Sequence, residues 1–339
     1  MAPIKALLDR FSELWEKQLK GAQKAPAISP NTAATLSVVF TLIYIVPFYL
    51  SPATRPSPQL SRDAPSSIRA RVRAVTFSCL MSLALTIYVL YDYGKAPPQE
   101  ILRLLGVWPV SLLDTAKTML LVTILFAGPL FEAGIVDGGV KDWVRGKRLY
   151  EELSSWIGYR NFVVGPISEE LIWRALIIPL HILAHVSGKK IIFLTPLYFG
   201  IAHVHHLYEF RLTHPHFPMH LAVLRSLFQF SYTSLFGFFV SFVFLRTGNL
   251  LSLILTHTFC NWMGLPRFWG RVGVEASVLN EPPSVVKKED DDAPGSQSKG
   301  LVWTVAYYII LVSGAVGFYW QLFPLTESSY AMPVVLIEE

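Results

Sequence analysis

The chain alternates between long apolar blocks and short polar connections. The blocks run from about Ala33 to Leu50, Ala74 to Tyr91, Lys117 to Ile135, Asn161 to Val186, Ile191 to Leu207, Leu221 to Leu245, Asn249 to Leu265 and Leu301 to Phe323. A helix of about 20 residues crosses a hydrocarbon core of about 30 Å, so each block is long enough to span. Lipid offers the backbone no hydrogen-bond partners, which makes helices the expected spanning form. The pattern therefore predicts an all-α, polytopic transmembrane helical bundle of about eight spans. Leu102 to Val110 reads as a short interfacial segment, and Asp137 to Arg160 as a charged stretch at the membrane surface.

The ends and one connection depart from this pattern. In the first 30 residues Ile4, Leu7, Leu8, Phe11, Leu14, Trp15 and Leu19 recur on a helical repeat, with charged residues between them. That predicts an amphipathic segment, either lying in the membrane interface or packed on the domain. No cleavable signal peptide is legible there. Residues 281–299 are polar and of low complexity, and are expected to form a disordered loop. The organisation read from the sequence is thus an N-terminal segment 1–30, a catalytic transmembrane domain 31–280, a polar loop 281–299, a last transmembrane helix 300–323 and a tail 324–339.

Composition agrees with this reading. Of 339 residues 52% are hydrophobic and 16% charged, against about a quarter charged in an ordinary soluble domain. The net charge of +5 comes from Lys and Arg scattered in short connections. Such residues meet lipid headgroups and set orientation, and the pattern does not suggest a nucleic-acid partner. Their distribution favours odd-numbered loops in the cytosol, with both termini on the other side. Cys79 and Cys260 both fall in apolar blocks and offer neither a disulfide framework nor a CxxC metal spacing.

Ionisable groups inside spanning segments are costly and mark candidate functional sites. Pro166-Ile-Ser-Glu-Glu-Leu-Ile-Trp-Arg174 carries three of them. On a helix Glu170 and Arg174 are one turn apart and can pair, while Glu169 is rotated by about 100° and can face a cavity. Phe199 and His203 share a face on the next segment, as do His257 and Asn261 on a later one. A carboxylate beside an imidazole can hold and deprotonate water, and a second imidazole with a carboxamide can stabilise an oxyanion. Those parts suffice for amide hydrolysis with no protein nucleophile and no cofactor.

Glu169-Glu170-x-x-x-Arg174, Phe199-x-x-x-His203 and His257-x-x-x-Asn261, in this order on successive apolar segments, resemble the type II CAAX prenyl protease family. Arg160-Asn161 and Pro166 ahead of the carboxylates are similar to its eukaryotic members. The resemblance implies an endoplasmic-reticulum enzyme that removes the last three residues from isoprenylated CAAX proteins, such as Ras-type small GTPases. It implies that Glu169 and His203 activate water and that His257 and Asn261 stabilise the oxyanion. Glu170 and Arg174 would organise the site, and Phe199 would pack beside it. A cavity open sideways to lipid, sized for a prenyl chain, is a further implication.

Two other readings stay open from the sequence. A zinc-dependent intramembrane metalloprotease would use His203 and His206 with His257 or Glu169 as third ligand, although the chain has no HExxH. A proton-coupled transporter would use the Glu/His cluster as a relay, and would be expected to show repeated halves. Outside the motifs, His205 and His206 are expected in a loop at the membrane edge. Arg225 and Gln229 would line the cavity or bond a neighbouring helix.

Overall fold

The computed structural model describes residues 25–57, 60–273 and 300–334. The N-terminal segment up to residue 24 and the polar loop 281–299 lie outside the described residues. What is described is all α-helical, with turns between the helices.

Ten helical stretches position the site. They are α1 Pro30–Leu50, α2 Pro65–Tyr93, α3 Leu112–Leu125, α4 Ala127–Val136, α5 over residues 156–183, α6 Gly188–Ala202, α7 His205–Thr213, α8 Met219–Thr247, α9 Leu250–Met263 and α10 Leu301–Gln321. Short helices Pro98–Leu104, Val140–Val144 and Lys147–Ser154 fill the connections. The stretch expected to lie at the surface before α5 is thus partly helical, with Val144, Leu149 and Tyr150 exposed.

Local chemistry sets several boundaries. Ser29 caps α1, its Oγ accepting from the Thr32 amide at 3.1 Å, and Pro30 occupies the first turn, where no amide donor is needed. Ser111 caps α3 in the same way through the Asp114 amide. The third apolar block is not one straight rod, because α3 and α4 meet at 76°. Pro129 has no amide hydrogen to give the Leu125 carbonyl, so the α3 ladder ends there.

Among the described residues five helices, counting α6 and α7 as one, are long and apolar enough to cross a membrane, or six if the bent α3–α4 pair is one span. Eight were expected. The difference falls on α5, which carries Glu169, Glu170 and Arg174, and on α9, which has only 14 residues. These are two of the segments that bear the motifs.

The helices meet through small and hydroxyl-bearing residues, as expected where lipid supplies no hydrophobic drive for association. At the α6–α8 contact a Cβ on Gly237 would stand 2.6 Å from Pro196 Cβ and 3.1 Å from Arg174 Nη2, and one on Gly200 would stand 2.4 Å from Ser234 Oγ. Ser78 of α2 donates to the Ile43 carbonyl of α1 at 2.7 Å. A Cβ on Gly314 of α10 would stand 2.5 Å from the Ile124 carbonyl oxygen. The main apolar core, including Phe40, Ile172, Trp173, Phe199 and Phe244, surrounds α5. Leu80, Leu224, Leu235 and Ile309 point outward, as a lipid-facing surface requires.

Candidate active site

The site begins with a proline. Pro166 of α5 has no amide hydrogen, so it cannot serve the carbonyl four residues back, Phe162, or the one five back, Asn161. Residues Arg160–Val164 form a wide π-helical turn ahead of it, and Leu171–Leu176 form a second one after the carboxylates. Such turns concentrate at functional sites. Both freed carbonyls are taken by α9. Thr258 Oγ1 donates to Phe162 at 2.9 Å, and Asn261 Nδ2 donates to Asn161 at 2.9 Å. One missing donor on α5 thereby provides two points at which α9 is clipped against it, which brings His257 and Asn261 to the carboxylates.

Behind the cleft wall lies a buried charge network, with Glu170 Oε2 and Arg174 Nε and Nη2 left without a hydrogen-bond partner among the described residues. Glu170 and Arg174 are fully buried and paired at 3.1 Å, one turn apart as the helical spacing predicts. The same Glu170 Oε1 accepts from His257 Nδ1 at 2.7 Å. The other ring nitrogen of His257 lies 3.8 Å from Glu169 Oε2. His257 therefore sits between the two carboxylates, one on each side of its ring. The Arg174 guanidinium stacks on Phe199 at 4.6 Å and on Phe236 at 5.8 Å. Ring faces attract a cation that has been removed from water, so Phe199 does more than fill space.

In front lies a cleft of about 420 Å³. Glu169, His203 and Asn261 line it, while Glu170, Arg174 and His257 do not. His203 follows the end of α6, and its Nδ1 lies 2.8 Å from the Phe199 carbonyl. A carbonyl cannot donate, so Nδ1 carries the hydrogen and neutral His203 keeps the lone pair on Nε2. Tyr44 of α1 and Trp173 form part of the apolar wall, with the Tyr44 hydroxyl 2.9 Å from Ser168 Oγ.

Some placements differ from the sequence expectation. His205 and His206 are not at a loop edge. The chain turns at His203 and Val204 and restarts as α7, which puts both rings on the cleft. Arg225 does not line the cleft but lies over the Phe210 ring at 4.5 Å. His181 is buried, with Nδ1 on its own Ile177 carbonyl. Arg62, Arg71 and Arg160 also line the cleft. Arg160 was legible as the motif's lead-in, whereas Arg62 and Arg71 belong to the connection between α1 and α2 and to the start of α2, where nothing local signals a cavity.

Among the described residues one group has metal-ligand spacing: His205, His206 and Glu209, whose donor atoms lie within 4.8 Å of one another. It shares only His206 with the set that the zinc reading requires, His203 and His206 with His257 or Glu169. Its donors also fit a cation poorly. Glu209 accepts from Arg71 Nη2 at 2.8 Å and from His206 Nδ1 at 3.0 Å. A guanidinium on the carboxylate already supplies the positive charge that a metal would bring.

Comparison with known proteins identifies the family of this chain. The family model described as "Type II CAAX prenyl endopeptidase Rce1-like" matches residues 151–263, a stretch that holds all seven motif residues. The chain is 38% identical over 238 residues to "Probable CAAX prenyl protease 2" of Schizosaccharomyces pombe, covering 70% of this chain and 83% of that protein. The chain belongs to the type II CAAX prenyl endopeptidase, Rce1-like, family. It is therefore a CAAX prenyl endopeptidase, a hydrolase set in a multi-pass helical membrane protein. Relatives named "CAAX prenyl protease 2" include the Homo sapiens protein, 34% identical over 219 residues (61% of this chain, 64% of that protein). The Arabidopsis thaliana protein of that name is 27% identical over 326 residues, covering 90% of this chain and 93% of its own length. No solved structure matches the chain. Membership in a protease family displaces the transporter reading.

Proposed function

We propose that this chain removes the C-terminal tripeptide from isoprenylated CAAX proteins, Ras-type small GTPases among them, at the endoplasmic-reticulum membrane. The bundle would cross the membrane eight times, with α5 and α9 as the two spans that length and apolarity alone do not reveal. The cleft would open sideways to lipid and admit the prenyl chain along its apolar wall. The observation that carries the catalytic reading is a division into two layers. Glu169, His203 and Asn261 stand on the cleft wall, and His257 stands behind them, held by Glu170 and Arg174.

In this mechanism a water molecule lies between Glu169 and His203. Glu169 takes one proton, while the Nε2 lone pair of His203 accepts a hydrogen bond from the other hydrogen. The hydroxyl oxygen attacks the carbonyl of the prenylated cysteine. Asn261 spends one amide hydrogen on the Asn161 carbonyl and has a second for the developing oxyanion. His257, oriented by Glu170 through Nδ1, turns its Nε2 edge toward Glu169 and would support the oxyanion from that side. Collapse of the tetrahedral species breaks the C–N bond, and the leaving amine takes the proton back from Glu169.

The test is release of tripeptide from a farnesylated CAAX peptide by the purified protein. Cleavage at the cysteine carbonyl, lost in Glu169→Ala and His203→Ala variants that still fold, is the expected result. Full activity in either variant would refute the assignment.

A further inference from the structure

We propose that the cleft carries a carboxylate-binding site for the substrate's free C-terminus, with Arg62 as the principal ligand and Arg160 beside it. This rests on the hydrolase reading above and adds how the enzyme finds the chain end. Arg62, Arg71 and Arg160 line the same cleft as Glu169 and His203. Their engagements differ. Arg71 is committed: its Nη2 holds Glu209 at 2.8 Å, its Nε holds the Thr54 carbonyl at 3.0 Å, and it is nearly buried. Arg160 places Nη1 on Asp63 Oδ1 at 2.7 Å and on the Arg62 carbonyl at 3.2 Å, with Nε on Asn161 Oδ1. The Arg62 guanidinium meets carboxylates only at 3.7 Å (Glu209) and 3.9 Å (Asp63), with its side chain 45% exposed. It is the cation in this wall with most of its hydrogen-bonding capacity unspent.

The spacing suits a tripeptide. Arg160 and Glu169 are nine positions apart on α5, an axial distance of about 13 Å at the α-helical rise and less across the wide turn at Arg160–Val164. Three extended residues span about 10 Å. A substrate whose scissile carbonyl lies at Glu169 thus brings its terminal carboxylate within reach of the guanidinium pair. Arg62 and Asp63 belong to the connection between α1 and α2, so the carboxylate would lie at the polar end of the cleft. The apolar wall around Phe48 and Trp173 remains for the prenyl chain. A planar fork of donors recognises a carboxylate in two-point fashion, and Asp63 and Glu209 hold the arginines without neutralising Arg62 at close range.

The experiment compares two farnesylated CAAX peptides of one sequence, one ending in a free carboxylate and the other in a carboxamide, on the purified full-length protein. The acid should be cleaved with a kcat/KM about tenfold or more above the amide, mostly through KM, as expected for a charge-assisted contact. Arg62→Gln should lower the acid toward the level of the amide, so that the acid-to-amide ratio of kcat/KM falls to about one. Arg62→Lys should restore part of the preference. Equal cleavage of acid and amide by the unaltered protein would overturn the proposal without any variant being needed. So would a full acid preference retained in Arg62→Gln. If the unaltered protein cleaves neither peptide, the hydrolase reading itself falls, and this site with it.

Discussion

His257 Nδ1 lies 2.7 Å from Glu170 Oε1, on the same carboxylate oxygen that Arg174 Nη1 reaches at 3.1 Å. Glu170 thus faces an arginine along its own helix and an imidazole from a helix 87 residues away, with no exposure to the cleft. In the proposed mechanism its work is to hold other groups. Removing one partner of a buried pair strands the other charge, which costs about 3–5 kcal/mol, whereas removing both leaves no charge stranded. Glu170→Ala should therefore lower thermal stability more than the double replacement of Glu170 and Arg174 by glutamine and methionine. Unfolding midpoints of the purified variants would decide it. A double variant less stable than Glu170→Ala would mean that the network is not a charge pair of this kind.

Glu169 and His203 stand on the cleft wall and should behave in the opposite way. Glu169→Gln keeps the shape and removes the proton acceptor; His203→Gln removes the imidazole. Each should lower tripeptide release by about 100-fold or more, the usual worth of a positioned acid–base group. The unfolding midpoint should move little in either variant. A loss of stability as large as that of Glu170→Ala would assign them to the supporting network instead.

Helical spacing was enough to give Arg174 to Glu170 and to leave Glu169 free, because that choice is made within one turn. The pairing of His257 with Glu170 was not legible. It depends on α9 being clipped to α5 through the carbonyls that Pro166 frees, and no pattern within either segment records the partner. His205 and His206 were misplaced for a related reason: a two-residue turn after α6 decides whether they face a loop or the cleft. Arg62 and Arg71 read as headgroup-facing residues because a connection over a cavity and one over lipid have the same composition. The span count turns on the same point: by length and apolarity five or six helices qualify, and eight are reached only with α5 and α9. Hydropathy marks spans by their lack of charge, so it is weakest on α5, which carries Glu169, Glu170 and Arg174.

Thr258 and Asn261 make matching hydrogen bonds to adjacent carbonyls, yet their consequences should differ. Thr258→Val removes a neutral hydrogen bond worth about 1 kcal/mol and should lower stability with activity retained. Asn261→Ala removes the same kind of tether together with the amide hydrogen assigned to the oxyanion. It should lower kcat by about 100-fold. The ratio of the two kcat values is the measurement, with unfolding midpoints as control. Equal activity in the two variants would reduce Asn261 to a tether.

The contact between α6 and α8 also bears on the site, through Gly237. A methyl group there would stand 2.6 Å from Pro196 Cβ and 3.1 Å from Arg174 Nη2. Pro196 is a rigid ring inside α6 and cannot rotate away, so the helices must separate or Arg174 must move. Overpacking of this kind costs about 1–3 kcal/mol. Any displacement of Arg174 is passed to Glu170 and from there to His257. Gly237→Ala should therefore lower both the unfolding midpoint and kcat, although residue 237 does not line the cleft. Gly200→Ala would press on Ser234 and Phe230. It strains the same helix pair without touching Arg174, and should lower stability with a smaller effect on kcat. Equal losses of kcat in the two variants would show that helix separation, rather than Arg174, transmits the damage.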